Sequence, residues 1–278
     1  MATSPHPEIV DAVERALKED IGSGDITSQV CIPADRRASG YFLVREPLVL
    51  AGAELLPLIY ETRGGVSKLE ILQRDGAALN DGDRIALVEG RARTLLECER
   101  VTLNFLQRLS GVATLARRFS ERVEHTRCRV LDTRKTTPGL RRLEKAAASA
   151  GGVINHRMGL YDAILIKNNH IAAAGGVRQA IGNARAAGLP IEIEVRTKAE
   201  LEEALASGAD HLLLDNLSPA EAREWIGIVN GRARVELSGG ITLDTVRDYA
   251  ETGADYVSSG SITHSAPAMD ISFRLVLE

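Results

Sequence analysis

The sequence predicts an α/β protein in two parts, an N-terminal α+β domain followed by a barrel of parallel strands and helices. Residues 8–110 combine helical spacing with short alternating strands, whereas strand-like and helical segments alternate regularly from residue 127 onward. No G-x-G-x-x-G motif is visible, which favours a barrel over an open dinucleotide-binding sheet. We expect domains at residues 1–110 and 111–265, with residues 266–278 packing back on the first.

The N-terminal part begins with a helix over residues 8–20, which ends at the breaker Gly22-Ser23-Gly24. Strand-like segments separated by turn residues follow at Ala38–Arg45, Lys68–Leu72 and Asp83–Glu89. They predict a mostly antiparallel sheet. Residues 91–124 then predict a long amphipathic helix, with Gly111 as a candidate interruption.

The C-terminal part contains six strand-like segments, at Cys128–Leu131, Ala163–Ile166, Ile191–Val195, His211–Leu214, Arg234–Leu237 and Tyr256–Ser258. Helical segments lie between them, and Ser218-Pro219 and Thr242 are typical helix starts. A complete barrel has about eight strands, so either the barrel is incomplete or its opening strands escape the pattern.

Composition excludes several classes of function. The formal net charge of −4 and the aromatic content of 4% argue against a nucleic-acid-binding face. The three widely spaced cysteines, Cys31, Cys98 and Cys128, form no metal or disulfide pattern and predict reduced thiols. Met1–Pro7 shows no signal peptide, and no apolar segment is long enough to span a bilayer. We therefore expect a cytoplasmic protein.

Basic residues are concentrated between Asp132 and His170, although the whole chain is acidic. This stretch holds seven lysines and arginines against three acids; the basic residues are Arg134, Lys135, Arg141, Arg142, Lys145, Arg157 and Lys167. Such a local concentration predicts a pocket for a small, multiply charged anion. Arg141, Arg142 and Lys145 lie on a predicted helix and could instead be exposed surface cations.

Polar or glycine-rich groups follow each of the six predicted strands, where a β/α barrel carries its chemistry. In chain order they are Arg134-Lys135, Lys167, Glu194 with Arg196, Asp215-Asn216, Ser238-Gly239-Gly240 and Ser259-Gly260-Ser261. The repetition predicts one shared site at this rim.

Several of these residues admit two interpretations. Glu192 and Glu194 share one face of a strand and would point into the barrel, as metal or substrate groups or as structural ion pairs. Ser238-Gly239-Gly240 fits a phosphate cradle or a tight turn. His156 could donate to the anion or be structural. His170 is interpreted as a local helix cap or a loop residue.

No Ser/His/Asp arrangement, H-E-x-x-H motif or Walker loop is visible, which disfavours hydrolysis through a side-chain nucleophile. The pattern favours a site for two anions, one carboxylated and one phosphorylated, with acidic residues available for Mg²⁺ or a developing cation.

The same residues resemble the quinolinate phosphoribosyltransferase family. The resembling segments are Glu19–Ser28, Glu99–Gly111, Asp132–Leu140, Asn155–Leu160, Ile166–Ile171, Glu192–Val195, Leu213–Asn216, Glu236–Ile241 and Gly260–Ser265. The resemblance implies an N-terminal α/β sandwich domain, an incomplete C-terminal β/α barrel of the type II phosphoribosyltransferase kind, and a homodimer, or a hexamer, with shared active sites. It implies phosphoribosyl transfer to quinolinate with decarboxylation, in NAD biosynthesis.

Site roles follow from the resemblance, residue by residue. The quinolinate carboxylates would be held by Arg134, His156, Arg157 and Lys167, with Arg100 reaching in from the partner subunit. Phosphoribosyl pyrophosphate and Mg²⁺ would be bound by Lys135, Glu194, Asp215, Ser238, Gly239, Gly240 and Gly260, with His264 near the phosphate. Of these, Lys135, Glu194 and Asp215 are the expected catalytic residues, and Glu194 and Asp215 the expected metal ligands.

The chain departs from the family pattern at Asn168, Arg196, Ser259 and Ser261, none of which is an expected ligand. Three other functions remain open at this point. They are a paralogue of molybdenum-transport operons with another acceptor, a phosphosugar isomerase or synthase barrel, and a non-enzymatic sensor of a phosphorylated metabolite.

Overall fold

The computed structural model describes residues 5–277. Its helices are α1 (Pro7–Ile21), α2 (Ile26–Cys31), α3 (Leu56–Thr62), α4 (Ala92–Val123), α5 (Arg141–Ala150), α6 (Asn168–Ala174), α7 (Val177–Ala184), α8 (Lys198–Ala206), α9 (Pro219–Val229), α10 (Val246–Ala250) and α11 (Ser261–His264). Its strands are β1 (Arg37–Val44), β2 (Leu48–Val49), β3 (Lys68–Ile71), β4 (Ala78–Leu79), β5 (Arg84–Arg91), β6 (Arg129–Leu131), β7 (Ile164–Ile166), β8 (Ile191–Val195), β9 (His211–Asp215), β10 (Arg234–Ser238), β11 (Tyr256–Ser258) and β12 (Ile271–Leu277).

The chain divides into two compact units that do not follow the sequence continuously. The first holds the described residues up to Arg117, Thr136–Gly152, and the residues from Thr263 onward. The second holds Arg118–Lys135 and Val153–Ile262.

The first unit is built on an antiparallel sheet in the order β12-β1-β5-β3. Alternate residues of β1 are buried because successive side chains of a strand point to opposite faces. β12 pairs with β1, and the rings of Phe42 and Phe273 pack at a centroid distance of 4.9 Å. Strand β12, near the end of the chain, thus belongs to the same sheet as β1.

Helix α4 is continuous over 32 residues, so Gly111 does not interrupt it. The glycine serves a close contact instead, because a Cβ at this position would lie 1.9 Å from the backbone oxygen of Pro267. Only a residue without a side chain allows this approach.

The second unit contains the predicted parallel sheet, with six strands in the order β6-β11-β10-β9-β8-β7. Residue Ile154 adds a parallel bridge to Leu131 beside β6. Helices connect successive strands, as parallel pairing requires. The predicted fold class, an α+β domain with an incomplete β/α barrel, is confirmed.

Strand register decides which side chains share a face of this sheet. Glu192 pairs with His211, Glu194 with Leu213, and Leu213 with Glu236. Because side chains alternate with a period of two, these residues and the following Asp215 and Ser238 lie on one face. The expected site residues Glu194, Asp215 and Ser238 therefore lie on the same face of the sheet.

Local details differ from the sequence predictions at two places. Thr242 does not begin a helix; it lies in a turn, and α10 starts at Val246 after the cap residue Thr245. Lys145, which could have been a surface cation, is fully buried in α5. By contrast, Ser218 caps α9 as predicted, and its side chain and Glu221 form a capping box.

Two predictions concern membranes and export. Within the described residues, no helix combines the length and the apolar character needed to cross a membrane. The prediction that no signal peptide begins the chain rests on Met1–Pro7, and residues 1–4 lie outside the described residues.

Candidate active site

Lys167 and Glu194 meet at the ends of neighbouring strands. Lys167 follows β7 directly, and its Nζ lies 3.1 Å from Oε2 of Glu194 on β8. The lysine side chain is 48% exposed and the glutamate side chain 11%, so the carboxylate is the fixed member of the pair. The structure therefore places both predicted residues at one position of the rim.

Asp215, at the end of β9, is held in a fixed orientation. Ser238 Oγ donates to Asp215 Oδ1 at 2.6 Å, and Asn216 Nδ2 donates to Oδ2 at 2.6 Å. Each carboxylate oxygen keeps a lone pair for a further partner. The carboxylate is thus held in one orientation, and both of its oxygens can still accept a further partner.

The turn after β10 brings backbone close to this carboxylate. Gly239 has φ +93°, and a Cβ there would lie 2.3 Å from Oδ1 of Asn216 and 2.7 Å from its backbone nitrogen. Gly240 has φ +63° and space around it. The sequence predicted a helix start at Thr242, shortly after this Ser-Gly-Gly turn. In the structure α10 begins only at Val246, so the turn does not lead directly into a helix.

Arg134 and Arg157 lie close enough to repel one another. Burial and the positive charge of Arg134 lower the pKa of Arg157. Arg157 is further positioned by a hydrogen bond from its Nη1 to the carbonyl oxygen of Ala163 at 3.3 Å. Two guanidinium groups near enough to repel one another can together bind an anion with more than one oxygen.

The segment carrying His156 is fastened to the end of β6. The backbone N–H of Asp132 donates to the carbonyl of Ile154 at 3.1 Å, and the N–H of His156 donates to Oδ1 of Asp132 at 2.8 Å. Asp132 is fully buried. The buried carboxylate thus fixes the backbone immediately before Arg157.

Below the rim lies a buried cluster of ionisable groups, which we call the interior cluster: His156, Glu192, His211 and Glu236. Nε2 of His156 lies 3.2 Å from Glu192 and 3.6 Å from Glu236, and Nδ1 of His211 lies 3.9 Å from Glu192. Ligand atoms of His156, Glu192 and Glu236 all lie within 4.8 Å of one another.

The two glutamates of the interior cluster have opposite pKa shifts. Burial and the charge of Glu192 raise the pKa of Glu236 to about 8. Burial opposes the charge of Glu192, but the hydrogen bond from His156 and the nearby His211 prevail and lower its pKa. Burial lowers the pKa of His211, and the charge of Glu192 opposes this shift. Glu192 therefore holds the negative charge and Glu236 a proton.

The second unit contains most of the predicted site residues, including Arg134, Lys135, the residues discussed above, and Gly260. Lys135 is exposed, and its backbone N–H donates to Thr133 Oγ1 at 3.1 Å. Arg100 on α4 and His264 in α11 belong to the first unit. His170 caps α6 as expected, since its Nδ1 accepts from the N–H of Lys167 at 2.9 Å.

Sequence reasoning missed His211, Glu236 and Asp132 as parts of the site. A usable signal existed in Val235-Glu236-Leu237, where a lone acid interrupts an apolar strand. A buried charge of this kind needs partners, so it points toward a polar cluster.

Comparison with protein families decides the classification. Residues 112–274 match the C-terminal domain of quinolinate phosphoribosyl transferase, and residues 25–110 match the N-terminal domain of the same enzyme. The chain belongs to the quinolinate phosphoribosyltransferase family. The Ser-Gly-Gly turn, the arginine pair and the Lys167–Glu194 pair all lie within the match to the C-terminal domain.

Members of the quinolinate phosphoribosyltransferase family match nearly the whole chain. A protein of Bacillus subtilis (strain 168), named probable nicotinate-nucleotide pyrophosphorylase (carboxylating), is 40% identical over 275 residues, covering 98% of this chain and 95% of the relative. A chloroplastic nicotinate-nucleotide pyrophosphorylase (carboxylating) of Arabidopsis thaliana is 37% identical, covering 98% and 85%.

Solved structures of the family have the same architecture. NadC of Streptococcus pyogenes superposes with a TM-score of 0.93 at 40% identity, and each chain is covered completely. The nicotinate-nucleotide pyrophosphorylase of Francisella tularensis gives 0.94 at 34% identity, covering 99% and 98% of the two chains.

Proposed function

We propose that this protein transfers the phosphoribosyl group of phosphoribosyl pyrophosphate to quinolinate and decarboxylates the product. The products are nicotinate mononucleotide, CO₂ and pyrophosphate, as in the de novo synthesis of NAD. Besides the family, the proximity of the positive charges of Arg134 and Arg157 supports this proposal, because two guanidinium groups near one another suit a substrate with two neighbouring carboxylates.

The quinolinate end of the proposed site consists of Arg134, His156, Arg157 and Lys167. The arginines offer planar forks of donors, and Lys167 offers a mobile ammonium group on an exposed side chain. The two guanidinium groups match the two negative charges of the dianion, and Lys167 adds a third positive charge. His156 lies directly beside Arg157 in the chain and fixes its backbone through a hydrogen bond.

The phosphoribosyl pyrophosphate end would consist of Lys135, Ser238, Gly239, Gly240 and Gly260. The left-handed backbone of the two glycines at 239 and 240 leaves room for phosphate oxygens close to the main chain. Lys135 is exposed, and its ammonium group on a flexible four-carbon stem would contact the pyrophosphate. His264, four residues after Gly260 in the chain, would lie near the phosphate.

Glu194 and Asp215 would hold Mg²⁺. Their carboxylates are hard oxygen donors on one face of the sheet, and neither oxygen of Asp215 is bound by a cation among the described contacts. This donor set fits Mg²⁺. A bound Mg²⁺ would supply positive charge to the departing pyrophosphate.

The reaction would proceed by breaking the bond between ribose C1 and pyrophosphate. The ribose becomes oxocarbenium-like, and the carboxylates of Glu194 and Asp215 stabilise its positive charge. The pyridine nitrogen of quinolinate then donates its electron pair to C1. The C–C bond to the carboxylate next to the ring nitrogen then breaks, CO₂ leaves, and the electron pair left on ring C2 is stabilised by the pyridinium until a proton from water replaces the carboxylate. Protein groups mainly position and neutralise charge.

We also propose that the protein acts as a homodimer, or a higher assembly of dimers, in which Arg100 completes the site of the partner subunit. Arg100 is exposed on α4, so it is available to another subunit. A cytoplasmic location fits the three free cysteines, and burial raises the pKa of both Cys98 and Cys128 to about 12.

The proposal is tested by offering three acceptors in parallel. Purified protein, Mg²⁺ and phosphoribosyl pyrophosphate are incubated with quinolinate, nicotinate or nicotinamide, and mononucleotide is quantified. We expect product with quinolinate alone, and its loss when EDTA removes Mg²⁺. Product from nicotinate or nicotinamide, or none with any acceptor, would contradict the proposal.

A further inference from the structure

The interior cluster fastens His156 at both ring nitrogens. Nδ1 accepts a hydrogen bond from the backbone N–H of Arg157 at 2.6 Å, and Nε2 lies 3.2 Å from Oε2 of Glu192. A nitrogen that accepts a hydrogen bond carries no proton, so the proton of the neutral ring lies on Nε2 and points at Glu192. The geometry thus selects one tautomer.

The carboxylates around Nε2 are buried deeply enough to be rigid. Glu192 is 7% exposed and Glu236 is 1% exposed. Nε2 of His156 lies 3.6 Å from Oε2 of Glu236, and Nδ1 of His211 lies 3.9 Å from Oε1 of Glu192. Rotation of His156 would leave Glu192 without its closest partner in a dry environment, which is costly.

The hydrogen bonds of His156 fix the backbone of the neighbouring residue, Arg157. The ring of His156 fixes the backbone N–H from which the arginine side chain begins, while Asp132 fixes the N–H of His156 itself. Arg157 also stands against the repulsion of Arg134. Some part of the structure must therefore hold it in place when no anion is bound.

We propose that Glu192 is a positioning residue that acts through His156 to hold Arg157 in the anion-binding arrangement. The activity part of this inference rests on the proposed function. Oε2 of Glu192 lies 3.2 Å from Nε2 of His156 and Oε2 of Glu236 lies 3.6 Å away, so Glu192 is the closer partner of the ring. A glutamine at position 192 keeps an acceptor oxygen but loses the carboxylate charge that strengthens this hydrogen bond.

The kinetic test compares Glu192→Gln, Glu236→Gln and, as an exposed control, Glu224→Gln. We expect Glu192→Gln to raise the KM for quinolinate by about tenfold or more, with the KM for phosphoribosyl pyrophosphate nearly unchanged. Glu236→Gln and the control should stay within about threefold of the parent protein. Equal damage from the two interior variants, or equal rises of both KM values, would overturn the inference.

A second readout needs no turnover. ¹⁵N spectra of the histidine side chains report which ring nitrogen carries the proton, and the signal of His156 is assigned by its loss in His156→Gln. We expect the Nε2–H tautomer in the parent protein and in Glu236→Gln. An Nδ1–H tautomer, or a ring that averages between both, would overturn the inference even if Glu192→Gln failed to fold.

The two readouts separate failure of the inference from failure of the proposed function. An inactive parent protein with the expected tautomer would contradict only the function. A stoichiometric divalent metal in the purified protein that is lost in Glu192→Gln would overturn the inference. In that case His156, Glu192 and Glu236 would be metal ligands instead of a hydrogen-bonded support.

Discussion

Nζ of Lys167 lies 3.1 Å from Oε2 of Glu194, which joins a residue proposed to bind quinolinate to a residue proposed to bind Mg²⁺. The exposed lysine can move, whereas the largely buried glutamate cannot. Binding of quinolinate would draw the ammonium group toward the substrate and release the carboxylate for the metal. The pair thus connects the two ends of the site.

Replacing Lys167 should affect mainly the pyridine substrate. We expect Lys167→Ala to raise the KM for quinolinate by about tenfold or more, because an ion pair with a carboxylate is lost. The matched control is Lys198→Ala, since Lys198 also pairs with a glutamate, Glu224, at 2.5 Å on an exposed surface. Steady-state kinetics with each substrate varied in turn provides the measurement. Similar KM values for the two variants would remove Lys167 from the site.

Replacing Arg134 should abolish most of the turnover and leave the fold intact. The guanidinium group is close enough to Arg157 to lower its pKa, and its loss removes one of the three cationic side chains of the proposed carboxylate pocket. We expect kcat/KM for quinolinate to fall by about 100- to 1,000-fold in Arg134→Ala. Thermal unfolding should match that of Arg223→Ala, an exposed substitution on α9. Near-normal kcat/KM would exclude the assigned role.

The Ser-Gly-Gly turn provides a steric test. Gly231→Ala should cost only the strain of a left-handed backbone, about 1–2 kcal/mol, because nothing lies within 4 Å of its Cβ position. Gly239→Ala adds a clash with Asn216, which supports Asp215. We expect a larger loss of stability and a weakened response to phosphoribosyl pyrophosphate in thermal-shift experiments. Equal effects of the two alanines would show that the turn tolerates a side chain.

The buried proton of Glu236 predicts a pH dependence of stability. The pKa of this group is about 8 in the folded protein against an ordinary value of 4.5, so between these values the folded state binds a proton that the unfolded state has released. Its contribution is complete below pH 4.5 and is lost as the pH rises toward 8. Glu236→Gln lacks this dependence.

Urea unfolding from pH 5 to pH 8.5 measures that difference. We expect the parent protein to lose free energy of unfolding relative to Glu236→Gln as the pH rises. The control Glu224→Gln changes an exposed carboxylate and should run parallel to the parent. A constant difference between Glu236→Gln and the parent would mean that Glu236 is ionised throughout.

A shared active site predicts complementation between inactive subunits. Arg100→Ala and Arg134→Ala should each be nearly inactive. After mixing under conditions that exchange subunits, about a quarter of the parent activity should return, because half the dimers are mixed and each has one intact site. Light scattering establishes the oligomeric state in the same samples. No recovery despite subunit exchange would place both arginines in one chain's site, or Arg100 outside it.

The fold could be predicted well from the sequence because its elements have strong local signals. The strand Ile191–Val195 was predicted with its observed ends, and the capped helix α9 begins at Pro219 as expected. Gly111 was misleading, because its reason is a distant approach of Pro267. Lys145 was misleading in the same way, since burial of a charged side chain depends on tertiary packing.

The site was only partly predictable. Residues that follow strands, such as Lys167 and Asp215, are visible because barrels present their strand ends to one rim. The partnership of Glu192 with His156 and Glu236 is not visible, since it depends on which strands become neighbours. The sequence likewise cannot show whether Glu192 or Glu194 faces the ribose. The structure places Glu194 with Lys167 and Glu192 beneath it.

The central claim is a phosphoribosyl transfer coupled to decarboxylation, and its most direct test follows both products together. Quinolinate labelled in the carboxylate next to the ring nitrogen is incubated with the protein, Mg²⁺ and phosphoribosyl pyrophosphate. We predict equal amounts of labelled CO₂ and nicotinate mononucleotide at every time point. Mononucleotide that retains the label, or labelled CO₂ without mononucleotide, would contradict the account.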